Sequence, residues 1–283
     1  MAPTRTYPPG VPCWVDTEQP DPDAARHFYG RLLDWTFADL AADRAVAGDS
    51  YHVASLAGQP VAAIGPAAAN PGPVSWNTYV AVADADERAR AVIDAGGRIE
   101  GEPADAGRGG RLALCADPTG ARFRLWQPRE RPGAQAVNVP GAWNFSDLHT
   151  PDPDGALQFY GEVFGWESLA VDAGAAEWAT LLRVPGYGDY LEATVDPDIR
   201  TRQASAPEGF ADGIAWLGPL APDHDRPHWH VTIAVADRAE SVSTAQRLGA
   251  EIVSERDTRW NRSAEIVDPQ GAAFMISQFL GTG

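Results

Sequence analysis

The segment PDPDAARHFYGRLLDW, which begins at Pro20, is written again as PDPDGALQFYGEVFGW from Pro151, and this duplication restricts the fold more than any other feature. Aligned without gaps, the two agree at nine of sixteen positions: the PDPD run, Ala25/Ala156, Phe28/Phe159, Tyr29/Tyr160, Gly30/Gly161 and Trp35/Trp166. The offset of 131 residues is too long for a solenoid repeat and fits a domain copied in tandem. Two such domains fill the 283 residues, and each is long enough to bury a core of its own.

Within each copy the periodicity names the elements. Asp21 is placed to cap a helix whose first residue is Pro22, with Asp23 at the positive end of its dipole. Ala25, Phe28, Tyr29, Leu32 and Leu33 then form one apolar stripe. Before it, VPCWVDT alternates as a strand does. Further along, NTYVAVAD and HVTIAVAD are strands that run into the caps Asp84 and Asp237, and the helices after them close at Gly96-Gly97 and Gly249. Each copy ends on a hairpin with a DPxG turn, DPTGARFRLW from Asp117 and DPQGAAFMIS from Asp268.

The expected class is therefore α+β, with four strand-helix-strand-strand-strand modules, two in each of two domains spanning 1–134 and 135–283. The joint is the polar run QPRERPGAQAVNVPG. From Asp21 to Asp84 is 63 residues, but from Asp152 to Asp237 is 85, so the second domain carries an insertion, placed here around 196–227. Such a loop is either functional or a surface excursion that packs Trp216 on its own domain.

Charge and cysteine content exclude several classes of partner. With 39 acidic residues against 22 basic ones, the net charge of -17 repels phosphate backbones and anionic headgroups, so neither nucleic acid nor a membrane surface is expected. The two cysteines have no metal-binding spacing and make no disulfide framework, and no apolar run is long enough for a membrane span. A cytoplasmic protein is expected. GxSxG, GKS/GKT and GxGxxG motifs are missing, which removes the usual nucleophile elbow and phosphate loops.

The paired modules, the FYG-to-Trp end of the first helix and the DPxG turn together resemble the vicinal oxygen chelate superfamily, which includes glyoxalases, bleomycin-resistance proteins and extradiol dioxygenases. The likeness is nearest to the tandem glyoxalase-like proteins common in actinobacteria, and the all-arginine basic set points to a GC-rich source of that kind. The resemblance implies that each pair of modules forms a curved sheet around a cavity. Alternation would then turn Trp14, Asp16, Asn77, Tyr79, Arg124 and Trp126 toward the first cavity. Phe145, Asp147, His149, His230, Thr232 and Met275 would face the second.

Metal-using members of the superfamily place a histidine seven residues before the helix-capping acid and a glutamate four residues after the DPxG glycine. The first domain offers Trp14, Asn77 and Arg124 at the ligand positions, and the second offers Phe145, His230 and Met275. Two cofactor readings stay open: none, or one divalent metal in the second domain held by His230 and Glu192, with Glu192 on a strand of that sheet. The resemblance implies a small-molecule ligand, with oligomeric state open and a homodimer among the choices. As an enzyme the chain would be a lyase, isomerase or hydrolase-like catalyst of secondary metabolism or detoxification, using His230, Glu192, Asp147 and His149. The alternative is a non-catalytic protein that sequesters its ligand, as bleomycin-resistance proteins do. Asp16 and Asp147, at the same place in both copies, are either acid/base or anchoring groups or members of a structural hydrogen-bond network.

Overall fold

Four aspartates start four of the helices, as their spacing predicts. Asp21 Oδ1 accepts from the backbone N–H groups of Asp23 and Ala24, and Asp84, Asp152 and Asp237 accept from Glu87, Gly155 and Glu240 respectively. The computed structural model describes residues 4–39, 51–68, 73–170, 180–204, 206–220 and 226–281. In the first half the order is β1 (Pro12–Gln19), α1 (Pro22–Leu33), β2 (Thr36–Asp39), β3 (His52–Leu56), β4 (Gln59–Pro66), β5 (Trp76–Ala81), α2 (Ala85–Asp94), β6 (Arg98–Ala106), β7 (Gly110–Ala116) and β8 (Arg122–Pro128). The second half repeats it as β9 (Trp143–Thr150), α3 (Pro153–Phe164), β10 (Glu167–Ala170), β11 (Thr180–Arg183), α4 (Tyr187–Thr194), α5 (Ile199–Arg202), β12 (Gly213–Pro219), β13 (His228–Ala234), α6 (Arg238–Arg247), β14 (Glu251–Asp257), β15 (Asn261–Val267) and β16 (Ala273–Phe279).

The α+β class and the tandem arrangement hold. One eight-stranded sheet runs β2-β3-β4-β1-β5-β8-β7-β6 and the other β10-β11-β12-β9-β13-β16-β15-β14, the same order twice. In each, the first strand of a module pairs in parallel with the last: Asp16 sits beside Ala63 on β4, and Asp147 beside Trp216 on β12.

The compact units of the chain do not follow the two sheets. One compact unit comprises residues 1–13, 78–133 and 146–229, and the other 14–77, 134–145 and 230–283. Each unit thus joins a module from one half to a module from the other, and here the duplicated segment finds its purpose. In the unit containing α1, the Tyr29 hydroxyl donates to Asp268 Oδ2 at 2.8 Å and accepts from Trp76 Nε1 at 3.2 Å. Its ring stacks on Trp35 at 5.8 Å, and Trp35 Nε1 donates to the Gly141 carbonyl at 2.6 Å.

The unit containing α3 repeats the pattern. Tyr160 donates to Asp117 Oδ2 at 3.2 Å and accepts from Trp229 Nε1 at 3.0 Å, its ring stacks on Trp166 at 5.0 Å, and Trp166 Nε1 donates to the Gly10 carbonyl at 2.6 Å. The two aspartates are those of the DPxG turns. Burial, reinforced by these carboxylates, pushes both phenols well above the ordinary tyrosine range, so Tyr29 and Tyr160 remain hydrogen-bond donors.

One mismatch between the copies makes a direct stability test. The residue after α3 is Gly165, at φ 73°, and the matching residue after α1 is Asp34, at φ 58°. A left-handed residue other than glycine costs about 1–2 kcal/mol, part of which glycine's extra unfolded-state freedom gives back. Asp34→Gly is therefore expected to stabilise the protein by about 0.5–1 kcal/mol, read as a higher urea midpoint at unchanged slope.

The insertion begins and ends earlier than expected, sharing only residues 196–212 with the expected span. In the first domain β3 and β4 are joined by a tight turn at Ala57-Gly58, whereas β11 and β12 are separated by residues 184–212, with α4, α5 and a 3-10 turn at Phe210–Asp212. The expected span of 196–227 therefore includes β12, a paired strand of the sheet.

Candidate functional site

Alternation along the strands sends one face of each into the helix-covered core and the other away from it. In the α1 unit, Val15, Val231, Ile233, Phe274 and Ile276 belong to the core cluster. Trp14 and Asp16 lie on the other face of β1, where they form a network with Tyr51 and Asn77. Trp14 Nε1 donates to the Tyr51 hydroxyl at 3.1 Å, Tyr51 donates to Asp16 Oδ2 at 2.8 Å, and Asn77 Nδ2 donates to Asp16 Oδ1 at 2.9 Å. Asp16 is fully buried and both its oxygens are engaged, the arrangement of a structural hydrogen-bond network. Tyr51 was missed in the sequence; its only signal is a hydroxyl-bearing aromatic just before the alternating run HVASL.

The same unit carries most of the second-domain candidates. His230 and Thr232 on β13 are buried, at 3% and 6% exposure, on the face opposite Val231 and Ile233. Thr232 lies in register with Met275 on β16, and Phe145 on β9 is half-buried.

In the α3 unit, Tyr79 of β5 and Arg124 of β8 are register partners. Arg124 is only 6% exposed, donates to the Tyr79 hydroxyl at 2.7 Å and sits 5.3 Å from the centre of that ring, while Trp126 meets Tyr79 edge-on at 6.2 Å. The opposite face of β8 presents Phe123 to Phe159, Tyr160 and Phe164. On β9, Asp147 is buried beside Trp216, and the ring of Phe210 approaches Trp216 to 6.4 Å. His149 stacks on His228 at 5.1 Å, and His228 Nδ1 bonds the Arg226 carbonyl at 2.9 Å.

Glu192 requires a correction. It is on no strand: Tyr187 and Leu191, four residues apart, bury one face of α4, and Glu192 beside them is exposed, accepting from Arg200 Nε at 3.0 Å. Without it, His230 alone retains a donor that matches the metal pattern. Arg124 occupies a glutamate position with a buried positive charge, and Met275 and Phe145 offer a soft thioether and a hydrocarbon ring where a divalent cation needs oxygen or nitrogen. Among the described residues, no three of His, Cys, Asp and Glu gather in a way that could hold a metal ion. The donor set does not fit the metal centre of the resembled family.

The thiols are not nucleophiles. Cys13 and Cys115 are free and buried; burial pushes Cys115 up to about 12, with the charge of Glu100 adding to it, and burial pushes Cys13 further still. Neither thiol is expected to react with a disulfide reagent at pH 8 in the native protein, and both are expected to react once urea unfolds it. A rapidly titrating native thiol would contradict their placement. No helix among the described residues is long and apolar enough to cross a membrane.

Comparison with known proteins places this geometry in a family. The pattern of the Glyoxalase-like domain matches twice, over residues 14–126 and 145–277. Over 275 residues the chain is 32% identical to "Putative glyoxylase CFP32" of Mycobacterium tuberculosis, covering 95% of both proteins. Over 285 residues it is 31% identical to the anthracycline biosynthesis protein DnrV of Streptomyces peucetius, covering 95% of this chain and 94% of that one. Among solved structures, the Mn(II)-bound glyoxalase from Novosphingobium aromaticivorans superposes with a TM-score of 0.59 at 18% identity, covering 98% of this chain and 83% of that one. The 2,3-dioxygenase LapB from Pseudomonas sp. KL28 gives 0.59 at 12%, covering 98% and 94%. Identities this low carry the fold and not the reaction. The chain belongs to the glyoxalase-like domain family of the vicinal oxygen chelate superfamily and carries that domain twice.

Proposed function

We propose that this protein binds a small, partly aromatic, hydroxyl-bearing metabolite of secondary metabolism in the cytoplasm and transforms it, without a metal, in the second domain (135–283). His230 acts as general acid/base in an isomerase- or lyase-like proton transfer. The observation that carries this reading is the burial of His230, 3% exposed beside Thr232 on the strand face turned away from the core. A strand selected for stability alone would hold apolar side chains there, because taking a polar ring out of water has a desolvation cost that a hydrocarbon side chain does not. An imidazole also titrates near neutral pH and can both take and return a proton.

Ligand chemistry is suggested by the half-buried rings of Trp126, Phe145 and Trp216 on the faces away from the core. Rings of this kind stack against flat molecules. A relative named for anthracycline biosynthesis supports a planar hydroxylated ring system. Sequestration without turnover is the second reading, favoured by the Asp16 network, which is saturated by its own neighbours and suits holding rather than reacting.

Titration with 1,4-dihydroxyanthraquinone, followed by quenching of tryptophan emission in chelator-treated buffer, tests the ligand class. Saturable binding at one or two sites per chain is expected. Linear, non-saturating quenching would contradict the reading.

A further inference from the structure

Resting on that reading, we infer that Trp216 is the aromatic wall that selects the second domain's ligand, and that the insertion 184–212 is built to hold it. The two copies differ where they are otherwise most alike. Asp16 and Asp147 occupy the same place on the first strand of each domain, but their partners across the parallel pairing are Ala63 and Trp216. The larger side chain is not a packing residue of the usual kind. Trp35, Trp76, Trp166 and Trp229 are at most 5% exposed, whereas Trp216 is half-buried on the strand face that it shares with Asp147.

The insertion backs that indole. Phe210 tilts against Trp216 at 57°, at the start of the 3-10 turn Phe210–Asp212. The turn is pinned to α4: Gly188 N–H donates to Asp212 Oδ1 at 2.7 Å, and Val184 N–H donates to the Asp212 carbonyl at 3.1 Å. Contact is tight enough that a Cβ at Gly188 would stand 2.7 Å from Ala211 Cβ. On its other side α4 is strapped by the amino-terminal segment, with Arg5 donating to the Tyr187 hydroxyl at 3.4 Å and Tyr190 donating to the Thr6 carbonyl at 3.1 Å. The first domain joins β3 to β4 by a tight turn and has only alanine at the matching position, so insertion and tryptophan occur together. A fixed indole beside a carboxylate recognises a flat ring that carries a hydroxyl or amine donor at its edge.

The test measures dissociation constants of 1,4-dihydroxyanthraquinone for the wild-type chain and for Trp216→Ala, Trp216→Leu, Trp216→Phe and Phe210→Ala, with a thermal melt of each. Loss of the stacking ring is expected to weaken binding about tenfold in Trp216→Ala and Trp216→Leu, with Trp216→Phe within about threefold of wild type and Phe210→Ala in between. Should Trp216→Ala fail to fold, the contrast between Leu and Phe, which a merely space-filling role would not produce, still decides. Wild-type affinity in Trp216→Ala, or equal affinities in the Leu and Phe variants, would overturn the inference and leave the proposed function standing. Failure of the wild-type chain to bind the probe would overturn both.

Discussion

Asp268→Ala is expected to destabilise the α1 unit by about 3–5 kcal/mol, seen as an early unfolding transition in urea by tryptophan emission. The carboxylate is 4% exposed and collects four donors. Oδ2 accepts from the Tyr29 hydroxyl and Gln19 Nε2, both at 2.8 Å, and Oδ1 from the backbone N–H groups of Gln270 and Ala272, both at 2.9 Å. Alanine removes all four acceptor contacts at once and leaves buried donors with none, and each hydrogen bond to a charged group contributes about 1.5–3 kcal/mol on its own. The contributions are not additive, so the total falls below their sum.

Tyr29→Phe isolates one contact and is expected to cost about 1–2 kcal/mol, since it also strips Trp76 Nε1 of its acceptor. Combined with Asp268→Asn, it should show coupling in a double-mutant cycle, because the two groups share one bond. Asp117→Ala should produce a loss similar to that of Asp268→Ala in the α3 unit, where Asp117 Oδ1 holds the N–H groups of Thr119, Gly120 and Ala121 and Oδ2 the Tyr160 hydroxyl. A cost below about 1 kcal/mol for either alanine variant would mean that the repeated tyrosine-aspartate pairs do not hold the units together.

The second large effect concerns chemistry. If His230 moves the proton, His230→Ala is expected to lower turnover of the true substrate by about 10²–10⁴-fold while changing probe affinity by less than about tenfold, the scale of one lost hydrogen bond. The two quantities separate the proposed readings. A sequestering protein has no turnover to lose, and its only response would be a modest change in affinity. A variant that keeps full turnover would remove His230 from the mechanism and move attention to His149 and His228, whose rings stack in the α3 unit.

The local part of the fold was legible because local rules govern it. Asp21, Asp84 and Asp237 cap helices where their spacing puts them, and the runs DPTG and DPQG turn into hairpins. Joining of modules across the two halves was not legible, because the bond that expresses it links Tyr29 to a residue 239 positions away. No periodicity reports a contact of that range.

The insertion was misplaced for lack of a local landmark. Ile64-Gly65-Pro66 at the end of β4 matches Leu217-Gly218-Pro219 at the end of β12, pairing with β1 and β9 in the same register, and would have fixed its limits. Glu192 was read onto a strand although Tyr187 and Leu191 are spaced for a helix. In the site, alternation turned Asp16, Asn77, Tyr79 and Arg124 away from the helices without naming the bonds from Asn77 to Asp16 and from Arg124 to Tyr79, and it could not announce Tyr51 or Phe210. Both reach their partners from outside the alternating strand runs.

The residues at the ligand positions of this glyoxalase-like chain form a donor set unsuited to a divalent metal. Elemental analysis of protein purified without chelator or an immobilised-metal column, with His230→Ala alongside, tests it most directly. Manganese, iron, zinc and nickel are all expected far below one equivalent per chain in both proteins. Near-stoichiometric metal in the wild type that disappears in His230→Ala would contradict it and return metal-assisted chemistry to the second domain.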